Sequence, residues 1–198
     1  MARDINPDLD IRMFSKGVNS DNVRRFLKDC DLYIDGLDFF ALDVRREVFA
    51  VCAEMGIPAI TVAPLGMSAA LMVFVPGGMT FEQYFKLEGF SKQDQQIRFL
   101  VGLAPALLHR KYLIDSQAVD FKNKRVPSVP MACELCAGIA GTEALKILLD
   151  RGKVLSAPCG MQVDTYRHRL VRTGRWGILS KLWREITFRF ARYVLNKK

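Results

Sequence analysis

Two aspartates, Asp35 and Asp38, follow the short apolar run Leu32-Tyr33-Ile34 in the order Asp-Gly-Leu-Asp. Carboxylates just past the end of a strand suit one chemistry in particular. Mg²⁺ takes oxygen ligands and is commonly held by one or two carboxylates together with the phosphates of a nucleotide. The same residue type also serves as a turn acid or helix N-cap, and both readings stay open for Asp38 and for Asp35. Arg45 and Arg46 come next as anion-binding candidates, although Arg on an exposed helix face needs no special role. Cys133-x-x-Cys136 invites a metal or redox reading. Structural zinc takes four ligands, however, and His109 and His168 are isolated from it and from each other. Two cysteines three apart on an apolar helix are neighbours on one face, so they are read as buried structural thiols and no zinc is expected. His109, beside Arg110 and Lys111, is expected at the surface. Pro76-Gly77-Gly78 is too short for a phosphate loop and has no helix starting directly after it. No Ser/His/Asp set and no HExxH pattern is present, and no catalytic residue is assigned.

The elements that must position these groups can be read from periodicity. Asp31 to Gly66 reads as strand, acidic turn, helix, strand and Gly/Pro turn. The helix runs from about Leu42 to Met55 with Val44, Val48, Cys52 and Met55 on one face. Ile57 to Val62 begins the next apolar run. A βαβ unit of this kind places ligands outside the carboxyl ends of its parallel strands, where Asp35 and Asp38 fall. Before it, Leu9 to Phe14 alternates as a half-buried strand would, and Asn19-Ser20-Asp21 caps a short helix through about Leu27. Strand, helix, strand, helix, strand predicts a parallel sheet with right-handed crossovers. Gly56 to Thr80 carries no charge, but its prolines and glycines cut it into strand lengths, which reads as two buried strands rather than a membrane span. Met67 to Val75 is the expected central strand. Further on come a short helix or ordered loop at Thr80 to Phe90, helices at Gln93 to Leu103 and Ala104 to Tyr112, and a basic loop at Lys122 to Pro130. A long apolar helix at Met131 to Asp150 precedes an antiparallel hairpin of Gly160–Asp164 with Arg169–Val171.

The formal charge of +8 over 198 residues is concentrated in the tail. Arg167 to Lys198 holds ten Lys or Arg against one acid, Glu185, a net +9 that leaves −1 for residues 1–166. The basicity describes a tail, so nucleic acid is not an expected partner. Five irregularly spaced cysteines and an N-terminus without a basic-then-apolar leader point to a cytoplasmic protein. From Trp176 the tail reads as a basic amphipathic helix. Leu179, Leu182, Trp183, Ile186, Phe190 and Val194 form one apolar stripe, with Lys181, Arg184 and Arg192 away from it. Docking on the protein's own body or on a partner subunit is the expectation, and an anionic membrane surface the alternative. The domain division is 1–172 for the α/β body and 173–198 for this helix.

With these blocks in place, the sequence resembles the ThiF/MoeB family, the UBA/THIF-type fold related to ubiquitin-activating enzymes. The likeness rests on NPDLDIRMF, DLYIDGLDFFALDVRREVF, GIPAITVAPLG, MVFVPGG and GTEALKILL in that order. It is nearest to a bacterial ThiF-family adenylyltransferase subgroup through PGGMTFEQYF, GLAPALLHRKYL, CELCAGIAGTEALKILLDRG and a D-x-YRHRL segment. The resemblance implies a Rossmann-like, partly parallel sheet with helices on both faces. It also implies ATP-dependent adenylation of a carboxyl C-terminus, with Mg²⁺, on a ubiquitin-like or sulfur-carrier protein or a peptide. Asp38 matches the family position that contacts Mg²⁺-ATP, with Asp35 and Arg45 in support. The family's glycine-rich phosphate loop precedes NPDLDIR, and this chain starts just before that segment, so it resembles an N-terminally truncated enzyme. The implied assembly is a homodimer, or a complex with a partner supplying the missing half. Two functions follow as alternatives: an adenylyltransferase domain incomplete by itself, or a non-catalytic binding module that docks a modifier around Pro64 to Val75.

Overall fold

The structure, a computed structural model, describes residues 2–112, 128–174 and 185–193. Its centre is a mixed five-stranded sheet of β1 (Tyr33–Asp35), β2 (Ala59–Leu65), β3 (Ser68–Phe74), β4 (Gly160–Asp164) and β5 (Arg169–Thr173), in the spatial order β1-β2-β3-β4-β5. Around it lie α1 (Ala2–Ile5), α2 (Val23–Phe26), α3 (Leu42–Met55), α4 (Phe81–Phe85), α5 (Lys92–Leu103), a 3₁₀ turn at Leu108–Tyr112, α6 (Pro130–Leu148) and a last helix, α7, at 185–193.

The central strand explains the layers. Every residue of β3 is buried, because both faces of the sheet are covered and its side chains alternate between them. Ala70, Met72 and Phe74 enter a core with Val48 and Phe49 of α3, Phe81 and Phe85 of α4 and Phe99 of α5. Leu71 and Val73 enter a second core with Ile60 and with Ile139, Ala144 and Ile147 of α6. The aromatic residues of Thr80–Phe90 are core formers: Phe81 packs against Phe49, Phe85 and Phe99 at centroid distances of 4.7, 4.6 and 5.9 Å. Thr80 starts α4 with a reciprocal capping box to Gln83, which satisfies two backbone donors at once. Helix α6 buries Ala132, Cys136, Ala140 and Ala144, an i, i+4 line of small side chains that seats it on β2 and β3.

Three expectations change. The sheet is parallel only between β1 and β2; the β2–β3, β3–β4 and β4–β5 pairs are antiparallel. Leu65 pairs with Ser68 across a turn whose Gly66 has φ +60°. Such a tight hairpin leaves no room for the dozen or so residues a parallel crossover needs. Leu9–Phe14 is not a strand and its residues are mostly exposed. Alternation alone does not make a strand without a neighbour to pair with, and β1 ends the strand order on that side. Phe14 packs edge-on to Phe26 at 5.3 Å and Arg12 pairs with Asp29 at 3.5 Å. The Ala104–Tyr112 helix is reduced to the 3₁₀ turn, with Leu107 in the left-handed region at φ +47°. The β4–β5 hairpin is antiparallel as expected, with Gly160 opposite Thr173 through Asp164 opposite Arg169.

Helix α7 lies against α5. The Arg98 guanidinium sits between the rings of Phe90 and Phe188, 4.0 and 4.4 Å from their centroids, and donates to Glu185 at 2.9 Å. Arg192 pairs with Asp94 at 3.0 Å, and Phe188 is buried with Ile97 and Val101. The rest of the expected tail helix, and most of the basic loop at Lys122–Pro130, fall outside the described residues.

Candidate functional site

The candidate site is the turn from β1 into α3. Asp35 closes β1 and is buried to 1% side-chain exposure, facing Arg45 of α3, itself at 4%. The Arg45 Nε donates to Asp35 Oδ2 at 2.7 Å, its Nη2 to the Leu37 carbonyl at 2.6 Å and its Nη1 to the Phe39 carbonyl at 3.4 Å. Asp35 Oδ1 accepts from the Leu37 N–H at 3.1 Å and the Tyr33 hydroxyl at 3.4 Å. Burial pushes the Tyr33 phenol well above its usual range, and the Asp35 carboxylate adds to the shift. Arg45 also lies over the Phe99 ring at 4.9 Å. One buried, charge-assisted pair therefore ties strand, loop and helix together. The Arg45 side chain is fully engaged inside the protein, not on an exposed helix face.

Asp38 is exposed, one turn of chain further on. Its Oδ1 accepts from the Phe40 N–H at 2.9 Å, and its carbonyl accepts from Ala41 N–H at 3.0 Å. This Asx turn opens α3, whose N-cap Ala41 makes no side-chain cap bond. Asp35 and Asp38 thus share a loop but not a task. Asp35 and Arg45 satisfy each other, whereas Asp38 turns a carboxylate to solvent at the carboxyl end of the parallel β1–β2 pair. Arg46 is held by Glu82 at 2.9 Å, and Glu82 also accepts the Leu87 and Glu88 N–H groups, so its role is to fasten α4.

The remaining candidates separate cleanly. Among the described residues no group of three or more metal-ligating side chains occurs. A single carboxylate still fits the way Mg²⁺ is held beside a nucleotide, with phosphate and water oxygens filling the other positions. Cys136 is buried, and burial raises its thiol to about 12; Cys133 is exposed rather than buried as expected. His109 is a second correction, for it is only 7% exposed. It packs on β4, its Nδ1 3.4 Å from Gln162 Nε2, and burial pushes its pKa down to about 4 against the opposing pull of Asp164. The inward-facing polar residues Ser68, Gln162 and Asp164 were not singled out in the sequence, because only the β3–β4 register brings them together. A cavity of about 200 Å³ lies at the opposite end of the sheet from Asp38, between the end of α3 and the Pro76-Gly77-Gly78 turn, lined by Phe49, Cys52, Ala59, Phe74 and Phe81. Burial also raises the Cys52 thiol to about 12.

The ThiF family model matches residues 1–175. The chain belongs to the ThiF family. Solved structures sharing its fold include E. coli MccB with ATP, with a TM-score of 0.58 at 13% identity, covering 89% of this chain and 46% of MccB. E. coli MccB with MccA gives 0.55 at 12%, covering 89% and 46%, and PaaA gives 0.51 at 12%, covering 81% and 47%. At these identities the likeness is one of fold. This ThiF-family chain spans a little under half the length of those structures. No curated protein matches the sequence. No helix among the described residues is long and apolar enough to cross a membrane.

Proposed function

We propose that this ThiF-family chain is the Asp38-bearing part of an ATP-dependent adenylyltransferase acting on the carboxyl C-terminus of a peptide or small modifier protein. The observation that carries the proposal is the division of labour in the β1–α3 turn. A buried Asp35–Arg45 pair fixes the loop, and the one acid left exposed, Asp38, stands at the carboxyl end of the parallel strands, where open α/β sheets bind ligands. Family membership and a fold shared with MccB, solved with ATP and with MccA, support the reading.

Asp38 would give one carboxylate oxygen to Mg²⁺, and Asp35 and Arg45 would act as positioning residues that keep the loop from moving as charge builds in the site. Mg²⁺-ATP supplies the electrophilic phosphorus and a neutralised pyrophosphate leaving group. The described residues contain no glycine-rich loop opening a helix, the usual cradle for phosphate. The same observation favours one second reading, a non-catalytic module that binds the carboxyl tail without activating it.

The test is magnesium-dependent ATP–pyrophosphate exchange by the purified protein, with peptides bearing a free C-terminal carboxylate. Exchange that disappears in Asp38→Ala is expected. Exchange undiminished in that variant removes Asp38 from the site. Peptide binding with no exchange assigns the chain to the binding-module reading.

A further inference from the structure

Two residues of the tail's apolar stripe, Ile186 and Phe190, lie off the side of α7 that packs on α5. In the sequence the stripe is Leu179, Leu182, Trp183, Ile186, Phe190 and Val194. At about 100° per residue, the residues that seat α7 on α5 lie on a different side of the helix. Thr187 and Phe188 are buried and Ala191 packs beside Ile97 and Val101. The two stripe residues within the described helix stay outward, Ile186 at 50% and Phe190 at 43% exposure, and Tyr193 shares their side at 61%. Arg189 lies among them and is exposed, and the exposed Arg110 stacks on Phe190 at 4.5 Å. The acids at this place, Glu185 and Asp94, are paired with Arg98 and Arg192.

Docking thus consumes the acids and one apolar side of α7, and it presents an aliphatic–aromatic stripe flanked by arginines. We infer that this outward face of α7 is a docking surface for an anionic lipid bilayer. Charge complementarity argues for that occupant. Residues 167–198 carry +9 while the rest of the chain carries −1, so attraction to a negative surface is confined to the end that bears the stripe. Apolar and aromatic side chains interleaved with Arg match a headgroup region, where rings and alkyl groups enter the acyl boundary and guanidinium groups meet phosphate. An acidic protein would satisfy the arginines but leave Ile186, Phe190 and Tyr193 without an apolar environment. Because α7 is fixed on α5 through Arg98 and Phe188, association would hold the α/β body beside the membrane.

The experiment is vesicle flotation of the full chain. The two arms are phosphatidylcholine alone and phosphatidylcholine with about one-third phosphatidylglycerol. Flotation with the anionic vesicles only is expected, with at least a tenfold loss of bound fraction in Ile186→Ser/Phe190→Ser at an unchanged unfolding midpoint. Arg189→Glu is the second variant, should the first unfold, and it should weaken flotation in the same direction. Absence of flotation with anionic vesicles overturns the inference, as does equal flotation of wild type and variants. Retention on immobilised polyglutamate without vesicle binding assigns the surface to an acidic polypeptide and also overturns it.

Discussion

Replacing Arg45 by Met should expose how the candidate site is held. Arg45→Met keeps side-chain length and some contact with Phe99 but removes the charge. Asp35, at 1% side-chain exposure, then keeps only the 3.1 Å bond from Leu37 N–H and the 3.4 Å bond from Tyr33. The carbonyls of Leu37 and Phe39 lose their donors. Breaking a buried pair by removing one partner costs about 3–5 kcal/mol, mostly the price of a charge left unpaired in a low-dielectric site. For a chain of this size that corresponds to a fall of roughly 8–16 °C in unfolding midpoint. Removing both charges is expected to be milder than removing one. Asp35→Leu/Arg45→Met should recover about half the loss of either single variant, so the two single losses together should exceed the double loss by several kcal/mol in a double-mutant cycle. Urea unfolding of the four proteins, analysed by linear extrapolation, measures this. A loss below about 1 kcal/mol in Arg45→Met, or two single losses that simply add, would refute the pairing argument.

Three further outcomes are expected. Burial of His109 holds its folded pKa near 4, below the 6.5 of the unfolded chain, so the unfolded state binds the extra proton first. Stability should therefore fall as pH drops from about 6.5 towards 4, by up to roughly 3 kcal/mol from this group; His109→Gln should flatten that part of the pH–stability curve, and identical slopes would sink the claim. At Gly102 an added Cβ would stand 2.5 and 2.6 Å from the Phe85 ring, which Phe74, Phe81 and Phe99 hold in place. Gly102→Ala gains about 1 kcal/mol in helix propensity yet should lower the melting temperature, since overpacking costs about 1–3 kcal/mol; a raised midpoint contradicts this. Asp38→Ala, which loses only an exposed turn bond, should change stability by no more than about 1 kcal/mol, so a larger loss in urea unfolding would make Asp38 a structural residue.

What was legible in the sequence follows from which interactions are local. The helix Leu42–Met55, the two buried strands within Gly56–Thr80 and the Gly160–Val171 hairpin all rest on short-range periodicity and turn chemistry. Leu9–Phe14 shows the limit of that signal, because a strand exists only when another strand completes its ladder. The Asp35–Arg45 pair was visible as residue types in one block. That the pair is closed on itself, leaving Asp38 as the exposed acid, depends on how α3 packs back on β1. His109 looked exposed beside Arg110 and Lys111, yet the β3–β4 register and the 3₁₀ turn bury it against Gln162. Ile186 and Phe190 were legible as stripe residues, but not the fact that α7 would dock through another side.

The central claim is that Asp38 meets the metal of a bound nucleotide. Mn²⁺ in place of Mg²⁺ tests it directly, because its unpaired electrons broaden amide resonances near the ion. With Mn²⁺-ATP and the purified protein, broadening should centre on Leu37 to Ala41, spare the β4–β5 hairpin and vanish in Asp38→Ala. Broadening that persists unchanged in that variant, or that centres away from the β1–α3 turn, would contradict the account.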